Sequence, residues 1–300
     1  MIYNNIGKQK RLTFLIILGF ISFLTLFLYF VSLFFLNSSI FIVIFAATFS
    51  IITSFITYYN SDKIVLKLNG ARPATNEENR QLKLLLEGLL IASGLPEPKL
   101  YIIDDMSLNA FATGRNPENS VICVTKGLIE KLDKYELEAV LAHELSHIKN
   151  YDILISTVIA VMAGFVVIIA DFFTRRMFYG RRNKNSENSK GNEILLLIGL
   201  IFIILSPIFT KIIQMLVSRK REYLADATAV SFTRNKDGMI NALLKIEQDN
   251  DILEVANKST AHMFFSEPIK KLNAKKKKKT SLFDTHPSIT ERVKAIKELI

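Results

Sequence analysis

Residues 133–150 read DKYELEAVLAHELSHIKN, and this stretch decides how the rest of the chain is read. Asp133 with Glu136 three positions later is a capping box, so a helix opens at Lys134. Leu137, Val140, Leu141, Leu145 and Ile148 then recur at three- and four-residue steps and give that helix an apolar face. His143 and His147 stand one turn apart on it, so both imidazoles leave one side and can chelate a single ion. Glu144 lies beside them, within reach of a metal-bound water, and this spacing is what a hydrolytic zinc site requires. The flanking Glu136, Glu138, Lys149, Asn150 and Asp152 place the helix in a polar domain and argue against an intramembrane protease.

A catalytic zinc takes three protein ligands and keeps a fourth position open, so one more ligand has to come from elsewhere. The candidate is Glu222 in Arg221-Glu222-Tyr223-Leu224-Ala225-Asp226, where Glu222 and Asp226 share a helical face. Asp226 is then placed to accept the remaining ring N–H of a ligand histidine and fix its tautomer. It is also the one competitor nearby for the ligand role.

Composition sets the surroundings. The chain has 300 residues, a formal net charge of +10, and 50% hydrophobic against 22% charged residues. Its mean hydropathy of +0.27 is too high for disorder or for an ordinary soluble domain. The excess of Lys and Arg therefore points to anionic lipid and away from nucleic acid. A lone Cys123 excludes an intrachain disulfide.

Two uncharged runs, Phe14 to Leu36 and Ile40 to Tyr59, are each long enough to span about 30 Å of hydrocarbon as helices. A third covers Ile153 to Phe173 with Asp171 near its end. A fourth covers Ile194 to Val217 and contains Pro207 and Lys211. Lys8, Lys10 and Arg11 before the first run, and Lys63, Lys67 and Arg72 after the second, put the amino terminus and the polar domain in the cytoplasm. Arg175, Arg176, Arg181, Arg182, Lys184 and Lys190 between runs three and four pull the other way, so this hairpin either crosses against the charge rule or is re-entrant. His147 precedes Ile153 by six residues and Glu222 follows Ser218 by four, which at helical rise sets the metal roughly 6 to 9 Å from each run. The metal then lies at the membrane surface, and runs three and four cross together or not at all.

The expected fold is mainly α with an α+β domain: a multi-pass membrane protein whose zincin-like metalloprotease domain contains a small β-sheet. Residues 1–59 form an amino-terminal hairpin, 60–152 the first part of the domain, 153–217 the second hydrophobic hairpin and 218–300 the rest of the domain. Thr75 with Glu78 caps a helix carrying Leu82, Leu85, Leu86, Leu89 and Leu90, ended by Gly94 and Pro96. Leu100 to Ile103 and Val121 to Thr125 read as strands, the second a possible edge for an extended substrate. Asn109 to Pro117 reads as the polar turn between them. Helices follow at about Ser218 to Phe232 and around Met239 to Glu247, with a turn at Asn235 to Gly238. Lys275 to Lys279 reads as a solvated loop or a headgroup-binding segment.

The two motifs with a hydrophobic hairpin between them resemble the HtpX-type integral-membrane zinc metalloproteases, relatives of the CAAX prenyl protease. The resemblance extends over Asn109 to Pro117, Ala261-His262-Met263-Phe264 and Ser281-Leu282-Phe283-Asp284-Thr285-His286-Pro287. It implies one zinc per chain held by His143, His147 and Glu222, and Glu144 as general base. It also implies an active site facing the cytoplasm from the cell (inner) membrane, and protein substrates drawn from damaged membrane proteins. The lysine-rich loop before Ser281 departs from the expected pattern. For the oxyanion donor beside the metal the candidates are His286, at the start of the last helix, and more weakly Tyr223; His262 reads as a packing residue. The competing reading, a non-catalytic zinc-containing membrane scaffold or holdase, has no use for Glu144, because a structural site closes its fourth position.

Hydrocarbon length outweighs loop charge, so runs three and four are expected to span. A cysteine at Ser186 in a Cys123→Ser background should then react with a membrane-impermeant thiol reagent in intact cells, while one at Ser266 should not. Labelling at Ser266 alone, or at neither site before lysis, contradicts spanning.

Overall fold

The computed structural model describes residues 2–35, 40–179, 219–249, 251, 253, 260–266 and 287–299. The fourth hydrophobic run, the basic loop from residue 180 on, the lysine-rich segment and His286 lie outside these residues.

The helices that start at Asn76, Lys126, Lys134, Lys236 and Ile289 each begin where a side chain satisfies an open N–H group. Helix α1 covers Ile2–Phe35, α2 Ile40–Tyr59 and α3 Ser61–Leu68, followed by the short strand β1, Arg72–Pro73. Helix α4, Asn76–Ser93, opens on the Thr75/Glu78 capping box and closes on Gly94, whose left-handed backbone (φ 71°) suits glycine. Strand β2 is Lys99–Ile103, β3 Ala110–Gly114 and β4 Ser120–Thr125; α5 is Lys126–Lys131 and α6 Lys134–Lys149. In α6 Asp133 accepts from the N–H groups of Tyr135 and Glu136, and Glu136 accepts from Asp133 N–H at 2.8 Å. Helix α7, Asp152–Tyr179, contains the third run; the α-helices that follow among the described residues are α8 (Arg219–Thr233), α9 (Lys236–Gln248) and α10 (Ile289–Lys297).

The four strands are ordered β1-β2-β4-β3, with β2 and β4 parallel and both outer pairs antiparallel. This corrects two expectations. Ala110 to Gly114 is not a turn but a fully buried strand; its turn-forming residues, Asn116 and Pro117, begin only after it. And β4 is not an edge, since β2 and β3 flank it on either side. Asn235 likewise does not open a free turn: its side chain accepts from Gly238 N–H and caps α9.

One face of the sheet packs Ile102, Ile122 and Val124 against Leu82, Leu86 and Leu89 of α4 and Val140, Leu141 and Leu145 of α6. The other packs Phe111, Val121 and Cys123 against Val65 and Leu66 of α3 and Ala160 and Val161 of α7. A sheet covered on both faces must be apolar throughout, which is why β3 and β4 lack polar alternation.

Helix α1 lies along α7, pairing Phe20 and Leu24 with Leu154, Val158 and Met162. Its other sides expose Phe14, Leu15 and Leu18, as α2 exposes Phe41, Phe45 and Phe55. Helices that are apolar on every side belong in lipid. Among the described residues, Gly7–Leu26 alone is long and apolar enough to cross a bilayer; α2 with α3, bent by 71°, and α6 with the start of α7, bent by 85°, qualify only as pairs. The second bend revises the straight-helix estimate of the distance from the metal to the membrane run. It sits at Tyr151, whose φ of 60° no helix interior accepts. Asp171 finds its partner within its own helix, Arg175 at 2.8 Å.

The α6 cap fixes where the histidine helix begins, and its loss is measurable. Asp133→Ala should lower unfolding stability of chelator-treated protein by about 1 kcal/mol, read as a shift in the denaturation midpoint; an unchanged midpoint contradicts the cap's role.

Candidate metal centre

The apolar face of α6 is pinned to the sheet and α4, and this leaves His143, Glu144 and His147 directed at α8. Helix α8 returns Glu222 in its first turn and Asp226 one turn later, both buried. The result is a convergence. His143 Nε2 and His147 Nε2 stand 3.1 Å apart, each lies 3.7 Å from a Glu222 carboxylate oxygen, and ligand atoms of all three residues fall within 4.8 Å of one another.

The opposite ring nitrogens are held by carboxylates. Asp226 Oδ1 is 2.9 Å from His143 Nδ1, and Asp152 Oδ2 is 3.2 Å from His147 Nδ1. Each carboxylate fixes an N–H on Nδ1, so the Nε2 lone pairs face one another and the Glu222 carboxylate. Three electron-pair donors directed at one buried point repel unless a cation stands between them, and two imidazoles with one carboxylate are a donor set zinc accepts. These residues therefore fit the ion that their spacing implies.

The surrounding charges agree. Burial pushes the His143 pKa down, but the carboxylates of Asp226 and Glu222 outweigh it and hold the pKa up at about 9. This pocket favours positive charge. Asp226, pushed up by burial, is held below the usual carboxylate range by Arg292, which donates from Nε at 2.8 Å and Nη2 at 2.6 Å. Glu144 is pushed up by burial, which the two histidines only partly offset. Its Oε2 is buried and has no hydrogen-bond partner among the described residues. A carboxyl with a raised pKa and a free oxygen is suited to accepting and returning a proton.

The cavity at this point has a volume of about 30 Å³, room for one or two waters, and its walls include Ala112, Ile153, His262, Phe264 and Phe265. Phe265 packs edge-on to His143 with ring centres 4.7 Å apart. Its N–H donates to Ala110 O at 2.8 Å, and Gly114 N–H donates to Thr157 Oγ1 at 3.2 Å, so the outer edge of β3 is engaged at both ends beside the site. His262 is buried in the wall, its Nε2 3.3 Å from Ser156 O. Tyr223, half-buried, does not line the cavity.

Sequence reasoning missed Arg292, Asp152 and Gln9 as parts of this centre. Arg292 has no marker in the sequence: it is one basic residue in a lysine-rich end of the chain, yet it is 2% exposed and bidentate on Asp226. Asp152 stands five residues after His147 and in sequence reads only as polar flanking; an acidic residue just past a histidine pair is the signal that marks it.

The two shells separate experimentally. Glu222→Gln should weaken zinc affinity more than Asp226→Asn, because the first removes a metal bond and the second an orienting contact that costs about 10- to 100-fold. Metal titration ranks them; the reverse order contradicts the assignment of Glu222.

Comparison with known proteins finds relatives along the whole chain. The family model "Peptidase family M48" matches residues 76–300. Proteins described as "Protease HtpX homolog" are similar over nearly the whole chain: that of Dictyoglomus thermophilum is 41% identical over 98% of this chain and 94% of its own, and that of Listeria monocytogenes 39% identical over 100% of both. A crystal structure of S. mikatae Ste24p is 21% identical with a TM-score of 0.49, covering 98% of this chain and 66% of that one. Histidine pair, returning glutamate, apolar helices and family match converge on one conclusion: the chain belongs to peptidase family M48 and is a membrane metalloprotease.

Proposed function

We propose that the protein is a zinc endopeptidase of the cell membrane, holding one zinc ion, that hydrolyses peptide bonds of misfolded or damaged membrane proteins from the cytoplasmic side. The observation that carries this reading is the meeting of His143 Nε2, His147 Nε2 and Glu222 beside Oε2 of Glu144, which has no hydrogen-bond partner among the described residues. A purely structural metal site has no use for that fourth residue.

Zinc held by these three residues would supply a water with a pKa near 7 and polarise the scissile carbonyl. The chain's own groups do the rest. Glu144 Oε2 takes the proton of the attacking water and then delivers it to the departing amine nitrogen. Asp226 and Asp152 keep both Nδ1 atoms protonated, so the Nε2 lone pairs stay available for the ion. Phe264, Phe265 and Ile153 keep bulk water from the reacting atoms. His286 is proposed as the oxyanion donor on sequence grounds alone.

Orientation follows from charge: Lys8, Lys10, Arg11, Lys63 and Lys67 are exposed at the ends of α1 and α3 that adjoin the domain. The bend at Tyr151 supports a site at the membrane surface, where the apolar start of α7 meets His147. A substrate that reaches such a site is one already embedded in or released from the bilayer, and lipid is the expected second partner. Met263, Phe264 and Phe265 form part of the cavity wall, and the substrate is proposed to reach the metal past them.

Glu144→Gln should leave zinc content unchanged while lowering casein hydrolysis by detergent-solubilised protein at least about 100-fold. Proteolysis retained in a clean Glu144→Gln preparation removes the catalytic reading, and loss of zinc together with activity reassigns Glu144 to metal binding.

A further inference from the structure

We infer that α1 is a structural member of the metal centre and that Gln9, on this first membrane helix, is a positioning residue for His147. This rests on the metal reading above and extends it to a part of the chain otherwise needed only as an anchor.

Gln9 stands between two exposed lysines, Lys8 and Lys10, yet is itself buried at 6%. Its Nε2 donates to Asp152 Oδ1 at 2.8 Å, across 143 residues of sequence. Asp152 Oδ2 in turn faces His147 Nδ1 at 3.2 Å. The chain amide, carboxylate, imidazole therefore runs from the first helix to a metal-facing nitrogen without interruption. A buried amide in a basic, membrane-proximal helix is costly unless its donor is used, and here the acceptor is the carboxylate that orients a ligand.

The neighbouring residue repeats the contact. Lys10 Nζ lies 4.7 Å from the centre of the Tyr151 ring, and Tyr151 is the residue with positive φ at which α6 bends by 85° into α7. Consecutive residues of α1 thus hold consecutive residues of the bend, one through a ring and one through a carboxylate. A non-glycine residue in that conformation persists only where its surroundings impose it.

The chemistry at position 9 is specific. Asp152 Oδ1 has a second neighbour, Arg221 Nη1, but at 3.5 Å. The neutral amide fixes the carboxylate's rotation without adding a second positive charge to that of Arg221, so Oδ2 stays turned to the imidazole N–H. An apolar side chain would leave Oδ1 without its closest donor, and an acidic one would set two carboxylates against each other.

The amide is also coupled to the membrane packing. Gln9, Leu12, Ile16, Phe20 and Leu24 follow one helical stripe; Leu12 and Ile16 meet Ile155, Ile159 and Ala163, while Phe20 and Leu24 meet Leu154, Val158 and Met162. The stripe that seats α1 on α7 is the stripe that delivers the donor. A slide or tilt of α1 along that seam moves the Asp152 carboxylate and, through it, His147.

The experiment uses the full chain in detergent, with zinc affinity measured by competition against a chromophoric chelator and the visible spectrum of the cobalt-loaded protein as a second readout. Gln9→Met, which keeps size and loses the donor, should weaken zinc about 3- to 10-fold, less than the about 10- to 100-fold expected for Asp152→Asn. The double variant should bind no more weakly than Asp152→Asn alone, because both changes break one chain of contacts. Gln9→Glu should weaken zinc at least as much as Gln9→Met and shift the cobalt spectrum, and it carries the test if Gln9→Met does not fold. Leu15→Ala, on the exposed side of the same helix and outside that stripe, should leave affinity unchanged. Affinity within twofold of wild type in both Gln9 variants, or additive losses in the double variant, overturns the inference. Wild-type protein that binds no zinc would instead remove the metal reading itself.

Discussion

Two imidazole nitrogens 3.1 Å apart, each ring backed by a carboxylate on its far nitrogen and both facing a third carboxylate, form a point that favours positive charge. The structure is arranged to bring this about. Helix α6 supplies the imidazoles because its capped start and its apolar face against the sheet set its rotation. Helix α8 supplies Glu222, and behind each imidazole a buried carboxylate holds the far nitrogen. Burial makes these contacts strong, since an ionic group removed from water must be paired or its charge is lost. Arg292 answers that need on one side by closing on Asp226. Gln9 and Arg221 answer it on the other around Asp152.

The bend between α6 and α7 serves both the domain and the bilayer. One helix belongs to a polar fold with Glu136 tied to Lys245 at 2.6 Å; the next is apolar and packs against α1. A straight continuation would carry the histidines along the membrane run. The bend turns them across it instead, so the ligands lie beside the domain core while the apolar seam starts immediately after Asp152. The sheet contributes by position: β3, its outer strand, places Ala112 in the cavity wall and directs its backbone N–H at Glu144.

Much of this was legible in the residues, and for physical reasons. Capping boxes at Thr75, Asp133 and the returning pair Glu222 and Asp226 are local signals, complete within four residues, and each stands where its spacing put it. The strand Ala110 to Gly114 was not legible because a strand buried on both faces shows no alternation, and its small residues beside Asn109, Asn116 and Pro117 imitate a turn. Arg292 and Gln9 were not legible for a different reason. Their roles come from contacts 66 and 143 residues away, and nothing in the sequence around them records a partner at that distance. The bend at Tyr151 was not legible either, because no composition rule anticipates its backbone angle.

The central claim is that His143, His147 and Glu222 hold a zinc ion with one position open. X-ray absorption at the zinc edge of metal-loaded protein in detergent tests it most directly. The account predicts a four-coordinate site of light atoms at about 2.0 to 2.2 Å, with the scattering signature of two imidazoles and the remainder oxygen. A site with three or four imidazoles, an octahedral all-oxygen site, or zinc bound at less than one ion per chain would contradict it.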